Sequence, residues 1–308
     1  MNSPTPQVSV LIAAYRAADT LPRAVASALG QRKVSVEVII VDDASPDDTF
    51  AVVKRLADGP CVTGLRLSRN SGPAAARNLA LSHARGQWIA VLDADDELTP
   101  DRMSHMLDLA RQTGADVILG NLMVQTNDGP GPFLSSPTHP VRWSLQDYVK
   151  GNLAAANSPT FGYLKPLIRR AFLVRHGIAY DDTLRNGEDF HLILSCLAVG
   201  AGVWFSPAPD YIYHRHAASV SHRADPSHMT ALAHADRAVA TRLADPVART
   251  LMLRRARAIA RLASAETALA ALREGHPRVA ATALLHHPTA LVRFTRQLAQ
   301  ALGNRFQP

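Results

Sequence analysis

Four carboxylates follow one short apolar run in "AVLDADDEL", residues 90–98: Asp93, Asp95, Asp96 and Glu97. Side chains two apart on a strand share a face, so Asp93 and Asp95 are expected to converge while Ala94 turns away. Two close carboxylates repel and lose hydration unless a cation joins them. A hard divalent ion with oxygen ligands, Mg²⁺ or Mn²⁺, suits such a pair, above all where a diphosphate supplies the remaining oxygens. Taken alone, the D-x-D spacing equally describes a solvated turn or a helix cap. A second acidic pair, Glu188 and Asp189 in "NGEDFHL", stands where a helix begins, and alone it too reads as capping. A third, Asp42 and Asp43, ends the β-branched run "VEVIIVDDAS".

The elements that must carry these residues alternate. Strands are expected at Val8–Tyr15, Val36–Ser45, Gly64–Ser68, within "QWIAVLDADD" and at Ala115–Gly120. Helices are expected at Thr20–Leu29, with Thr20 as N-cap and Pro22 in the first turn, at Asp48–Ala57, from Pro73, and near Pro100–Gln112. Such alternation predicts a largely parallel, doubly wound sheet, with ligands beyond the carboxyl ends of its strands. Thr126–Pro140, rich in Gly, Pro and Ser, reads as a loop, either a connector or a lid facing substrate. Helical segments follow at "SLQDYVKGNLAA", "LIRRAFLVRHG" and "NGEDFHLILSCLAVG". From Pro226 onward Ala, Leu and Arg recur at helical spacing, broken at Asp245-Pro246, His276-Pro277 and His287-Pro288, which predicts three or four helices.

At 308 residues the chain can form one large α/β domain with an appendage. Cys61 and Cys196 are too few for a disulfide framework or a zinc site and fit a reducing, cytoplasmic setting. The N-terminal apolar run is short, alternating and not preceded by basic residues, so it does not read as a signal peptide. No uncharged apolar run reaches about eighteen residues, so no transmembrane helix is expected. The net charge of +7 is uneven: from Arg237 onward twelve arginines face three acids, a net of +9 that leaves −2 for residues 1–236.

"VSVLIAAY", "VIIVDDASPDDT", "NSGPAAARN", "ARGQWIAVLDADD" and, about ninety residues further on, "NGEDFHL" stand in a fixed order. Over residues 7–225 their order and spacing resemble the family 2 glycosyltransferases. The resemblance implies the Rossmann-like GT-A fold: an α/β architecture whose mostly parallel, mixed sheet is flanked by helices. Residues 1–225 would be the catalytic domain and 226–308 a basic α-helical extension, which matches no motif of the family. The activity implied is an inverting, metal-dependent transfer of a sugar, a hexose such as glucose, from a UDP-sugar to a hydroxyl of a glycan acceptor. Within the family the pattern is most similar to bacterial exopolysaccharide glucosyltransferases of the succinoglycan type. Such enzymes extend a lipid-diphosphate-linked oligosaccharide at the cytoplasmic face of the membrane.

Residue roles carry over block by block. Asp43 matches the aspartate that recognises uracil, for which a carboxylate accepting the ring N–H is suited, and Asp42 would fix the turn. Arg77 matches the arginine that contacts the nucleotide. Asp93 and Asp95 match the D-x-D motif, with Asp95 the more direct metal ligand and Asp93 on the ribose or behind the metal, which would neutralise the departing diphosphate. Asp96 and Glu97 would begin the next helix. Asp189 matches the general base, the one carboxylate that a single inverting displacement requires, and Glu188 would orient the acceptor or cap the helix. In "YHRHAASVSH", His216 with Ser219 and Ser221 falls on marked positions, and His216 would bind the metal or the pyrophosphate, although His214 and His222 lie close by. The chain departs from the common Pro-x-Tyr-Asn after the first strand, having Ala13-Ala14-Tyr15-Arg16. Ala14 and Tyr15 remain expected against the nucleotide, while any contact made by the missing Asn does not carry over.

Two further readings compete. A sugar-nucleotide nucleotidyltransferase would favour a glycine-rich basic loop after the first strand, and "AAYRAADT" lacks the glycines. A catalytically silent scaffold or nucleic-acid binder would use the Arg-rich tail, but that tail lacks interleaved aromatics and the carboxylate positions are all present. The basic and apolar faces of the C-terminal helices suit an anionic membrane surface or, equally, packing in a bundle or on a partner subunit.

Overall fold

The computed structural model describes residues 5–126, 129–153, 160–214, 225–291 and 294–295. Its elements begin with β1 (Val8–Ala14), α1 (Leu21–Leu29), β2 (Val36–Asp42), α2 (Thr49–Leu56), β3 (Val62–Arg66), α3 (Pro73–His83) and β4 (Trp88–Val91). Next come β5 (Glu97–Leu98), α4 (Arg102–Thr113), β6 (Val117–Thr126), β7 (Gly129–Pro132), β8 (Val141–Trp143) and α5 (Leu145–Lys150). β9 (Lys165–Arg169), α6 (Arg170–His176), α7 (Glu188–Ala198) and β10 (Val203–Ile212) follow. The chain forms two compact units, one of residues 1–148 and 161–216 and one of residues 149–160 and 217–308.

In the first unit a single mixed sheet has the strand order β3-β2-β1-β4-β9-β6-β10-β5, with β7 paired to β6 and β8 to β10. β3, β2, β1 and β4 run parallel, as alternating strands and helices dictate. β1 and β2 are almost wholly apolar and buried, as central strands covered on both faces must be. β9 is antiparallel to both of its neighbours, β4 and β6, and β10 returns parallel to β6. In the register, Ala14 lies opposite Asp42 at the carboxyl ends of β1 and β2.

Several local expectations need correction. Leu167, Ile168 and Arg169, expected in a helix, belong to β9, and helix α6 starts only at Arg170. A short apolar run does not distinguish strand from helix by its periodicity; here Leu167 and Ile168 are buried between two strands, which decides the matter. Within the expected loop Thr126–Pro140, residues Gly129–Pro132 form β7, an edge strand on β6, where a proline's missing N–H is tolerated. β10 was hidden by Pro207 and Pro209; its register shifts between Ser206 and Tyr211, so both prolines sit in the irregularity.

The second unit contains α8 (Pro226–Arg242), α9 (Pro246–Arg273), α10 (Pro277–His286) and a short 3-10 turn at Pro288–Ala290. All four begin on prolines, at the breaks that the sequence marks. Asp225 and Asp245 cap α8 and α9 by accepting backbone N–H bonds from the first turn. Arg255, buried in α9, donates to both oxygens of Asp236 in α8 and to the Asn152 carbonyl.

Candidate functional site

Arg77 projects from the second turn of α3 and is 5% exposed. Its Nη2 donates to Asp93 Oδ1 at 2.8 Å, and its Nη1 donates to Glu188 Oε1 at 2.7 Å and to Asp189 Oδ1 at 3.1 Å. Three sequence-predicted carboxylates from two distant blocks therefore meet on one guanidinium. Glu188 and Asp189 open α7 behind Gly187, whose φ of 80° is a left-handed conformation that costs glycine little. That turn aims the first residues of α7 back toward α3.

A second cation completes the cluster. Lys165, at the start of β9 and 6% exposed, puts Nζ 2.6 Å from Asp93 Oδ2 and 3.6 Å from Asp189 Oδ2. No motif marks it. A lone lysine in the apolar stretch "YLKPLI" is a candidate buried charge, but no local signal distinguishes β9 as a strand. Tyr211, likewise unmarked, accepts the Asp93 backbone N–H at 3.1 Å and donates its hydroxyl to Asp96 Oδ2 at 2.7 Å.

The electrostatics follow from packing. Burial works against ionised Asp93, yet Lys165 and Arg77 outweigh it and hold the carboxyl down at about 2. Burial likewise opposes the charge on Arg77 and on Lys165, but the surrounding carboxylates keep both cations firmly protonated. Glu188 is pushed up by burial and by the neighbouring Asp189 charge. Asp96, buried near Asp93, is pushed up to about 7.

The acidic stretch itself folds differently from the expectation. β4 ends at Val91, so Asp93 and Asp95 lie in a turn beyond the strand, closed by the Asp96 N–H to the Asp93 carbonyl. Alternation along a strand does not apply there. Asp96 and Glu97 do not begin a helix. Asp96 accepts from Tyr211 and from the His214 backbone, and Glu97 sits in β5 facing Arg23 and His214. Helix α4 starts five residues later, at Arg102 behind Asp101.

Asp42 ends β2 and Asp43 follows it. Asp42 accepts the Ser45 N–H and pairs with Arg66, so it does fix the turn. The Asp43 carboxylate accepts the N–H groups of Ser71 and Gly72 at 2.6 and 2.8 Å, fastening the strand end to the loop that leads into α3. Ala14 is buried at the end of β1, its carbonyl accepting the Asp43 N–H, and Tyr15 beside it is 43% exposed. His216, Ser219, Ser221 and His222 lie outside the described residues. His214 is described, and its ring Nε2 stands 2.8 Å from Glu97 Oε1.

Among the described residues no three His, Cys, Asp or Glu side chains converge as a metal cage. Each Asp93 oxygen already faces a cation, and Asp95 is half-buried in the same turn. The donor set therefore fits a hard divalent ion only where Asp95 is joined by oxygens of another molecule, such as a diphosphate.

Comparison with known proteins bears on this arrangement. The profile of Glycosyl transferase family 2 matches residues 9–173. The succinoglycan biosynthesis protein ExoO of Rhizobium meliloti is 40% identical over 83% of this chain and 76% of its own length. The UDP-Glc:alpha-D-GlcNAc-diphosphoundecaprenol beta-1,3-glucosyltransferase WfaP of Escherichia coli is 29% identical over 70% of this chain and 79% of its own. Among solved structures, Staphylococcus aureus TarS 1-349 in complex with UDP-GlcNAc superposes with a TM-score of 0.61 at 17% identity, over 92% of both chains. The mannosyltransferase PcManGT of Pyrobaculum calidifontis, in complex with GDP-Man and Mn²⁺, gives 0.56 at 18% identity, over 97% of this chain and 81% of its own. These structural likenesses establish the GT-A fold.

Proposed function

The chain belongs to glycosyl transferase family 2 and is a glycosyltransferase, and from that premise we propose that it moves a hexose such as glucose from a UDP-sugar to a glycan hydroxyl, with inversion. The observation that carries this reading is the meeting of Asp93 and Asp189 on Arg77, at 2.8 and 3.1 Å. It brings the D-x-D turn, on the side of the donor diphosphate, next to a carboxylate suited to the acceptor.

Asp189 is the general base. Arg77 holds its Oδ1, and its Oδ2 takes the proton of the acceptor hydroxyl as that oxygen attacks the anomeric carbon. The bond from that carbon to the diphosphate breaks in the same displacement and UDP leaves with the electron pair, so no enzymic nucleophile is needed. Asp43, with Ala14 at the end of β1 and Tyr15 just after it, borders the base-binding side, while Arg77 donates to Asp93, Glu188 and Asp189 and acts on the nucleotide through Asp93. Asp95 would hold Mg²⁺ or Mn²⁺, and the ion would supply positive charge against the departing diphosphate. The manganese complex of a neighbour with the same fold supports that choice.

Exopolysaccharide synthesis is proposed from the likeness to the succinoglycan protein, and a lipid-diphosphate-linked acceptor from the likeness to the glucosyltransferase of Escherichia coli. No helix of the described residues is long and apolar enough to cross a membrane. Arg254, Arg257 and Arg261 are all exposed and lie on one face of α9, and among the described residues no carboxylate pairs with them. Peripheral attachment to an anionic membrane through this face is part of the proposal.

The test is a screen of UDP-sugars for Mn²⁺-dependent release of UDP, followed by acceptor trials with the preferred donor. Asp189→Asn should abolish transfer and retain UDP binding. Full activity of that variant would sink the base assignment.

A further inference from the structure

Asp93 and Asp189 are bridged twice. Arg77 takes Oδ1 of each carboxylate, at 2.8 and 3.1 Å, and Lys165 faces Oδ2 of each, at 2.6 and 3.6 Å. The four side chains form a closed ring of alternating charge built from α3, the turn after β4, β9 and α7. Its corners are not equal. Three contacts lie within hydrogen-bonding distance, while the fourth, from Lys165 to Asp189 Oδ2, is too long for a hydrogen bond. Lys165 is therefore anchored on Asp93, at the donor side, and only steers the far oxygen of Asp189 by charge.

We propose that Lys165 is a positioning residue for sugar transfer: anchored on Asp93, it orients Asp189 so that Oδ2 stays within reach of the acceptor hydroxyl. Asp189 Oδ2, at the long contact of the ring, is where that hydroxyl makes its hydrogen bond. Arg77 cannot supply this alignment alone, because it holds only Oδ1 and leaves the carboxylate free to rotate about the bond that carries it. The ammonium does not touch the reacting atoms, and it acts through Asp189. An arginine at this position keeps the charge but, being longer and planar, cannot reproduce both contacts fully.

This inference rests on the assignment of Asp189 as base, and the experiment separates the two. The probe is whichever of UDP-glucose, UDP-galactose and UDP-GlcNAc the wild-type chain turns over, read as UDP release with Mn²⁺ present, alongside calorimetric binding of UDP. Lys165→Met should lower kcat by about 100-fold or more while the KM for the donor and the Kd for UDP change by less than about threefold. Lys165→Arg should recover at least about a tenth of the wild-type kcat.

Losing Lys165 leaves Asp93 and Asp189, among the described residues, facing Arg77 alone, and Lys165→Met could fail to fold. Lys165→Gln, which keeps an N–H donor toward Asp93 but carries no charge, then takes its place and should fold, bind UDP and show the same loss in kcat. The inference is overturned if Lys165→Met, or Lys165→Gln in its place, keeps kcat within twofold, or if Lys165→Arg is no better than whichever of those two variants folds. Wild-type turnover by Asp189→Asn overturns the base assignment instead. An inactive Asp189→Asn beside a fully active Lys165→Met removes only the role given to Lys165.

Discussion

Arg77 Nη2 donates to Asp93 Oδ1 across 2.8 Å, joining α3 to the turn that follows β4. Both groups are charged, the guanidinium is buried, and Asp93 is held down at about 2 largely because this arginine and Lys165 outweigh its desolvation. Asp93 depends on Lys165 and Arg77 together, and Arg77 on Asp93, Glu188 and Asp189.

Replacing Arg77 should therefore cost stability as well as activity. Arg77→Met takes from Glu188 its ion pair with Arg77 and leaves Asp93 and Asp189 facing Lys165, and removing one partner of a buried ion pair costs about 3–5 kcal/mol. Arg77→Lys keeps the charge but not the fork, and an intermediate loss is expected. Urea unfolding of the three proteins checks the order, and equal midpoints would show that Arg77 contributes no such stabilisation.

Asp95→Ala should remove the response of UDP release to added Mn²⁺ while leaving the folded state intact, since Asp95 is only half-buried, between the buried Ala94 and Asp96. Mn²⁺ titration of activity, with circular dichroism as the folding control, reads both. An unchanged Mn²⁺ response would take Asp95 out of the metal site.

The acid limb of stability has a second source away from the site. Glu37 in β2 is buried; desolvation raises its pKa, but the Ser9 hydroxyl and Arg85 outweigh that and hold it below 4.5. A lowered folded-state value means that the unfolded chain binds the proton more tightly. The stabilisation is then present above about 4.5 and is lost as pH falls through the lower folded value. Glu37→Gln should be less stable at neutral pH and show a flatter fall in melting temperature below pH 4.5. Parallel wild-type and variant curves would count against this.

The exposed arginines of α9 give a salt-dependent test. Arg254→Glu, Arg257→Glu and Arg261→Glu combined should abolish co-sedimentation with vesicles rich in phosphatidylglycerol at low salt, and raised ionic strength should weaken wild-type binding. Equal lipid binding by wild type and the triple variant would remove membrane attachment from this face.

Much of the fold was legible because its signals are local. Alternating β-branched runs and helices specify the parallel strands β1 to β4, and Asp-Pro and His-Pro breaks specify where α9 and α10 begin. The acidic residues of the site were likewise visible as motifs: Asp93, Glu188 and Asp189 all stand in the cluster that Arg77 organises. What the sequence could not convey was which cations meet which carboxylates. β9 is short, begins on a lysine and a proline, and is defined only by pairing with β4 and β6, contacts that are distant along the chain. Without β9 there was no reason to place Lys165 beside Asp93. The turn geometry after β4 was equally hidden, because Asp96 and Glu97 look like a helix start until β10 arrives with Tyr211 and His214 to bind them. The sequence by itself determined the element order and the chemical identity of the site's carboxylates; tertiary structure alone decided their partners, because charge pairing over long separations depends on which strands come to lie side by side.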